Sequence, residues 1–576
     1  MENSASEPIS SSSSESPPEA VGGESSSAGE GDSAAGSVAA GIFSSRIVGL
    51  LRERTVAYFF GVSAHADVWQ VAFKSPNLLQ NLLGEGTISA AFIPIYSRLI
   101  EEERYEEAGR FAGAIFGLLM AVAGGLALMG VLLADPIVRI LAPGFINDAA
   151  QVAKGTLAVN RFDLTVQAVR VIFPMAGVLV LSAWALGVLN SHRRFFVPYV
   201  APVLWNVAII AFLFGGAYWV TGSPWAPEGL AMGTLTQLLM AGCVGALAGG
   251  MLQFGVQLPF VARQMSGFEF SLSTRVEGVR EAIAAFGPVV ASRGVAQLSA
   301  YLDLFLASWL AVGAPSALRF SQLLYMLPVS LFGMSVAASE LPELSRLTEE
   351  QVAAFSARLR RSMRQIAFLT VPTVVGYLAF GPLLVGALFQ TGQFRVADTW
   401  LVTFVLGGYA LGILATTLSR LLQNAFYATG DTKTPAWIAV TRVTVSTVVA
   451  VPAMFWLDTI PLERIVGPLP GEPLFLGALG LSLGATVGAW VEVWRLRRAL
   501  REPMPEATLP GASLLRMTGL ALVSLVPAAG VWWTLPDWHV LFVAPLVVGT
   551  YAAVYLGTAL LLGFEEIEAW TRRFLA

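Results

Sequence analysis

Apolar residues in this chain come in long runs rather than in the short alternations of a soluble fold. About 20 apolar residues cross a bilayer as a helix. On that ruler the sequence predicts spans at 36–60, 67–98, 108–135, 163–190, 197–219, 227–250, 280–310, 314–342, 362–389, 398–428, 434–457, 474–494, 512–534 and 538–563. The expected fold class is an all-α polytopic membrane protein with about 14 transmembrane helices. The second, seventh and eighth spans are longer than a bilayer requires, so a tilt or a bend is expected in each.

Basic residues alternate between the connecting loops. Clusters within 98–110, 193–194, 263–280, 346–364, 495–501 and 572–573 fall on one side, while the loops at 61–66, 220–226, 311–313 and 535–537 carry none. By the positive-inside rule the basic side is cytoplasmic, which places both termini there. The loop at 136–162, with Arg139, Lys154 and Arg161, is one mild exception, and its LAPGF turn indicates a structured external segment.

Laid over one another, the first six spans and the next six show an internal repeat. Ser45-Arg46-Ile47-Val48 recurs as Ser292-Arg293-Gly294-Val295, and the FIP ending at Pro94 recurs as ELP ending at Pro342, shifts of 247 and 248 residues. Chance likeness between apolar helices is the competing reading. The repeat divides the chain into a tail at 1–40, an N-terminal lobe at 41–260, a C-terminal lobe at 261–500 and two further spans with a cytoplasmic end at 501–576. Two parallel lobes with a site between them is a transporter plan. The small-residue spacings Gly113/Gly117 and Gly480/Gly484/Gly488 read as ordinary helix packing.

Composition agrees with a membrane protein: 55% of residues are hydrophobic, 13% are charged and the mean hydropathy is +0.67, against about 25% charged in a soluble domain. Residues 1–40 differ, with seven acidic residues, no Lys or Arg, and mostly Ser, Gly, Ala and Pro, and are expected to be disordered. Lacking a basic segment followed by an apolar one, they do not read as a signal peptide. Beyond them 35 basic residues face 32 acidic ones, a balance of +3 that gives no reason to expect nucleic acid. Cys243 is the sole cysteine and His65, His192 and His539 are scattered, so neither a disulfide within the chain nor a metal set is expected. No GxxxxGK[ST] occurs, so ATP bound to this chain is not the expected energy source. No nucleophile with a suitable base stands out, and the chain is not expected to be an enzyme or to carry a cofactor.

The candidate chemistry lies in charges set into apolar sequence between Ser44 and Pro94: Arg46, Arg52, Arg54, Asp67, Lys74 and Glu85. A charge at bilayer depth costs about 2.5–3.5 kcal/mol on insertion scales, so such residues face water or one another. The plainer reading, strongest for Arg54 and Lys74, is that long side chains snorkel to the interface.

Several stretches resemble the MurJ/MviN lipid II flippases of the multidrug/oligosaccharidyl-lipid/polysaccharide exporter superfamily. They include SRIVGLLRERTVAYFFG (45–61), ADVWQVAFKSPNLLQNLLGEGTISAAFIP (66–94), LAPGF (141–145), QLSAYLDLFLAS (297–308), LFQTGQF (388–394) and FYATGDTKTP (426–435). The resemblance implies two lobes around a cationic cavity. It also implies movement of a lipid-linked pyrophosphate sugar, the peptidoglycan precursor, from the cytoplasmic to the outer leaflet of the bacterial inner membrane by alternating access. Cell-wall synthesis proteins are further expected partners. The family's essential first-helix arginines match Arg46 and Arg52, its second-helix acid matches Asp67, and its glutamate between glycines matches Glu85, a gate or an ion-pair partner. Arginine suits such a cargo because its planar fork pairs with phosphate oxygens.

The sequence departs from the family at several positions. The second-helix arginine falls on Gln80 and the eighth-helix arginine on Leu323. The sodium site of some members would use Asp303 with residues that are here Ser446 and Ala450. Asp303 therefore reads as a proton carrier or a partner for an arginine. Arg319, one turn before Leu323, reads as the displaced cation or as an interfacial anchor, with Arg293 the next candidate for the second lobe. An exporter of another lipid-linked oligosaccharide or amphiphile, or a transport-inactive scaffold, are the alternative functions.

Overall fold

The structure is a computed structural model that describes residues 25–225, 229–337, 340, 342, 352–501, 511–535 and 538–567; the side chains of 25–39, 288–289 and 291–300 lie outside the description. Among the described residues, ten helices are long and apolar enough to cross a membrane. The other expected spans, at 36–60, 67–98, 280–310 and 474–494, are helical as well. Three of those four line the cavity described below, which accounts for their weaker hydropathy.

In the first half, α1 runs Ser25–Phe60, α2 Ala64–Leu83, α3 Glu85–Ala91 and α4 Ile93–Glu101. They are followed by α5 (Tyr105–Leu132), α6 (Ala134–Leu141), α7 (Asp148–Ala153), α8 (Arg161–Ser191), α9 (Phe196–Thr221) and α10 (Met232–Gln264). The second half holds α11 (Val279–Ala307), α12 (Ala314–Pro328), α13 (Val352–Phe389), α14 (Val396–Ala410), α15 (Ile413–Ala428), α16 (Lys433–Leu457), α17 (Glu463–Val466) and α18 (Gly477–Leu500). The last two helices are α19 (Gly511–Thr534) and α20 (Val540–Leu561).

Helix α1 begins at Ser25, inside the stretch 1–40 that the sequence reads as a tail. The expected bend in the second span is a break at Gly84, between α2 and α3. The eighth span passes into a π turn at Val329–Met334, so both halves distort their second span at positions about one repeat shift apart. The 136–162 loop is structured, as α6, a 3-10 turn at Pro143–Asn147 and α7.

The apolar core divides in the same way. One set of clusters is built mainly from α1 to α10, with Val279, Ala282 and Leu304 of α11 joining it, and includes Phe59, Trp69, Phe173 and Leu239 around one centre and Phe92, Phe111 and Trp184 around another. A second set joins α11 to α18 around Phe320, Phe389 and Leu401. Helices α19 and α20 pack on α13. Prolines inside these helices leave carbonyls without a backbone donor, and in hydrocarbon such a group must be satisfied. Tyrosines supply it: Tyr377 Oη donates to Leu324 O at 2.8 Å, four residues before Pro328, and Tyr555 Oη to Phe368 O at 2.9 Å, four before Pro372. Helices α16 and α18 meet through Gly480, Gly484 and Gly488, whose missing side chains admit Met454, Ala450 and Ser446.

Candidate functional site

The turn after α1 begins the contacts between the halves. Gly61 has φ +56, and a Cβ there would lie 2.5 Å from Gln393 O, so only glycine fits. Beside it Val62 N donates to Asp398 Oδ2 at 3.3 Å and Gln393 N to Tyr58 O at 2.8 Å. Gly144 N donates to Ser308 Oγ at 3.1 Å on the same face of the protein, the one whose turns are poor in basic residues.

Asp67, in the first turn of α2, is fully buried on this face. Its carboxylate accepts from Gly313 N at 2.7 Å, from Ser316 N at 3.1 Å and from Ser316 Oγ at 2.8 Å, with Arg161 Nη1 at 3.4 Å. Gly313, at φ +94, precedes α12, so Asp67 clasps the positive end of a helix from the other half. Arg161 is itself held by Asp148 at 2.7 Å and lies over the Phe145 ring. Asp67, expected to touch cargo, here ties the two lobes together as a latch and is not among the residues lining the cavity described next.

Below the latch, between the halves, is a cavity of about 350 Å³. From the first half it is lined by Arg52 and Glu53 of α1, by Gln70, Phe73, Lys74, Asn77, Gln80 and Asn81 of α2, and by Trp205 of α9. From the second half come Asp303 of α11 and Arg319 and Gln322 of α12. Three cations face two carboxylates here, so the lining is net positive. Glu53 organises it. Only 3% exposed, its Oε1 accepts from Arg52 Nη2 at 2.6 Å and from Arg319 Nη2 at 2.7 Å, joining one guanidinium from each half. The Arg52 guanidinium also lies 5.1 Å from the Trp205 ring centroid. Arg52 Nε, Glu53 Oε2 and Gln70 Nε2 are buried without a hydrogen-bond partner. Lys74 lies over the Tyr301 ring at 5.6 Å, and Tyr301 Oη donates to Lys74 O at 3.0 Å. Two guanidinia, an ammonium and several amides converge on one space, donors of the kind that pair with the oxygens of a polyvalent anion.

A sequence model of the family described as "MurJ: Lipid II flippase MurJ" matches residues 56–551. The chain belongs to the lipid II flippase MurJ family. It is 29% identical over 539 residues to the lipid II flippase MurJ of Burkholderia cenocepacia, covering 90% of this chain and 95% of that one. It is 30% identical over 437 residues to the probable lipid II flippase MurJ of Rhizobium tropici, covering 75% and 78%. Among solved structures it resembles a lipid II flippase MurJ in an inward closed conformation, with a TM-score of 0.66, 20% identity and coverage of 91% and 98%. It also resembles an inward-facing multidrug resistance MATE family transporter, with a TM-score of 0.53, 17% identity and coverage of 79% and 96%. These two likenesses establish a shared transporter fold.

Within this MurJ-family fold, the remaining residues expected from the sequence are dispersed. Arg46 is exposed on α1, six residues or about 9 Å of helix rise from Arg52, and does not line the cavity. Glu85 is exposed at the start of α3, outside the cavity lining. Arg54 donates to Ala387 O at 3.2 Å in the last turn of α13. Arg293 lies on α11, with its side chain outside the described residues. Leu323 packs in the apolar cluster of the second half, whereas Arg319, one turn earlier, reaches the cavity. Ser446 and Ala450 fill the grooves at Gly488 and Gly484, and Ala450 has no side-chain oxygen to offer a cation. Among the described residues no group of three acidic, histidine or cysteine side chains is placed to hold a metal ion.

Sequence reasoning missed Glu53, although the intramembrane-charge rule that singled out Arg52 and Arg54 applies equally to the acid between them. It also read Arg161 as a loop residue. Nothing along the chain signals that Arg161 pairs with an acid on α2, because that contact joins residues 94 apart.

Proposed function

We propose that this chain carries lipid II, a lipid-linked pyrophosphate sugar precursor of peptidoglycan, across the bacterial inner membrane by alternating access. The observation that carries the reading is the Arg52–Glu53–Arg319 triad, in which one buried carboxylate holds a guanidinium from each lobe in a net-positive cavity. An incoming pyrophosphate offers more oxygens than Glu53 and competes with it for both arginines, so cargo binding loosens one interlobe tie and makes another. Lys74, Gln70 and Asn77 supply further donors along α2. The distribution of basic loops puts both termini in the cytoplasm and the Asp67 latch on the outer face. In this arrangement the outer face is closed, and transport requires α12 to leave Asp67 before cargo is released outward. Arg46, exposed on the cytoplasmic part of α1, serves as an outlying attraction for the anionic head group. Asp303 beside Lys74 is the coupling candidate, working by protonation or by exchange of its cationic partner rather than by sodium.

Depletion of the resident flippase in a bacterium, with this gene as the sole replacement, tests the proposal. Growth and outer-surface accessibility of the lipid precursor should return with the wild type and not with Arg52→Ala at equal membrane abundance. A wild-type protein that inserts normally and restores neither sinks the assignment of lipid II as cargo.

A further inference from the structure

The second lobe contains a charged layer that the triad does not use. It comprises Arg420 and Gln423 on α15, Arg442 on α16 and Glu492 on α18. Glu492 is 1% exposed, and both its oxygens are engaged: Oε1 accepts from Gln423 Nε2 at 2.9 Å and Oε2 from Arg442 Nη1 at 2.8 Å. Arg420 is left over. Its Nε is buried with no hydrogen-bond partner, and among the described residues the side chain has no ion pair. Arg442 is thus paired with a committed carboxylate, whereas Arg420 has no carboxylate partner among the described residues. A cation at this depth without a counter-charge is costly, so the layer is matched to an anion that the protein does not itself supply.

The layer continues from the cavity. Gln322 lines the cavity, and Tyr325 follows it by one turn on α12. Tyr325 Oη donates to Thr416 Oγ1 at 2.9 Å, one turn before Arg420 on α15, and Tyr325 lies within electrostatic reach of Arg420, Arg442 and Asp303. Asp303, a lining residue, is within reach of Arg442. Tyr325 is six residues beyond Arg319, about 9 Å of helix rise toward the face rich in basic loops.

We infer that Arg420 and the free donors of Arg442 form a second oxyanion subsite in the C-terminal lobe, which binds an anionic group of the cargo head distinct in position from the triad. The inference rests on the flippase reading. The oxyanion is either a carboxylate of the head-group peptide, held while the triad holds the pyrophosphate, or the pyrophosphate itself at an earlier stage of entry. In both cases the planar fork of Arg420 gives paired donors to two oxygens.

The test measures binding of two probes to purified full-length protein: polyprenyl pyrophosphate alone, and the complete lipid-linked disaccharide with its peptide. Arg420→Gln should leave thermal stability equal or raised, because it removes an unpaired charge. It should weaken binding of at least one probe by roughly tenfold, the loss of one charge-assisted contact. A loss confined to the peptide-bearing probe assigns the carboxylate; a loss with both assigns the pyrophosphate. Arg420→Lys keeps the charge without the fork and should bind between wild type and Gln. Unchanged binding of both probes by Arg420→Gln, or wild-type affinity in Arg420→Lys should the Gln variant not fold, overturns the subsite and leaves the flippase reading standing. Wild-type protein that binds neither probe overturns both.

Discussion

Replacing Asp67 by Asn should unlatch the face that the structure shows closed. The aspartate accepts three hydrogen bonds from Gly313 and Ser316, and Arg161 lies at 3.4 Å. Asparagine keeps one acceptor, enough for Ser316, but turns an N–H₂ toward Gly313 N and Arg161, where donors then meet donors. Losing a hydrogen bond to a charged group costs about 1.5–3 kcal/mol, and the unsatisfied buried donor adds to this. A total of about 3 kcal/mol shifts the equilibrium between closed and open outer faces by roughly a hundredfold. Arg161 retains its bond to Asp148 at 2.7 Å, so the fold around it should persist. The assay is labelling of a cysteine introduced at Gln322, on the cavity wall, by an impermeant thiol reagent added from outside. The native Cys243 is fully buried and contributes no competing signal. Labelling should be far faster in Asp67→Asn than in the Gln322→Cys parent. Equal rates in the two proteins refute the latch.

Other residues give shorter tests. Arg319→Leu should abolish precursor export while Arg319→Lys retains part of it, measured by outer-surface accessibility of the precursor at matched protein levels, because lysine restores charge to Glu53 without the fork. Glu53→Gln should lower thermal stability by the loss of two ion pairs and, by leaving a more positive cavity, bind polyprenyl pyrophosphate at least as tightly as wild type; weaker binding would show that Glu53 positions the arginines more than it competes for them. Asp303→Asn should slow transport in reconstituted vesicles, and exchange of sodium for potassium at fixed membrane potential should leave wild-type transport unchanged; a strict sodium requirement would contradict the placement of Ser446 and Ala450 in helix packing.

Hydropathy alone located the membrane helices, because a run of apolar residues reports depth in the bilayer directly. The expected spans at 163–190 and 434–457 differ from α8 and α16 by no more than two residues at either end. What it could not report is which residue meets which across the lobes. Asp67 and Lys74 are seven residues apart on one face of α2, and the sequence favoured Asp67 for the site and snorkelling most for Lys74, yet about 10 Å of helix rise puts Asp67 in the interlobe contact and Lys74 in the cavity lining. The break at Gly84 was legible only as excess length. Arg319 was legible because it lies one turn from Leu323, and helical spacing carries a side chain that far. Glu53 was legible in principle, and its place was hidden by the arginines on either side.

The most direct test of the central claim is flipping itself. Purified protein in vesicles of defined lipid, with the complete precursor in both leaflets, should bring precursor from the inner leaflet within reach of an enzyme added outside, and Arg52→Ala and Arg319→Ala vesicles should stay at the protein-free level. Outward movement that is equal in wild type and both variants would contradict a transport role for the arginine triad.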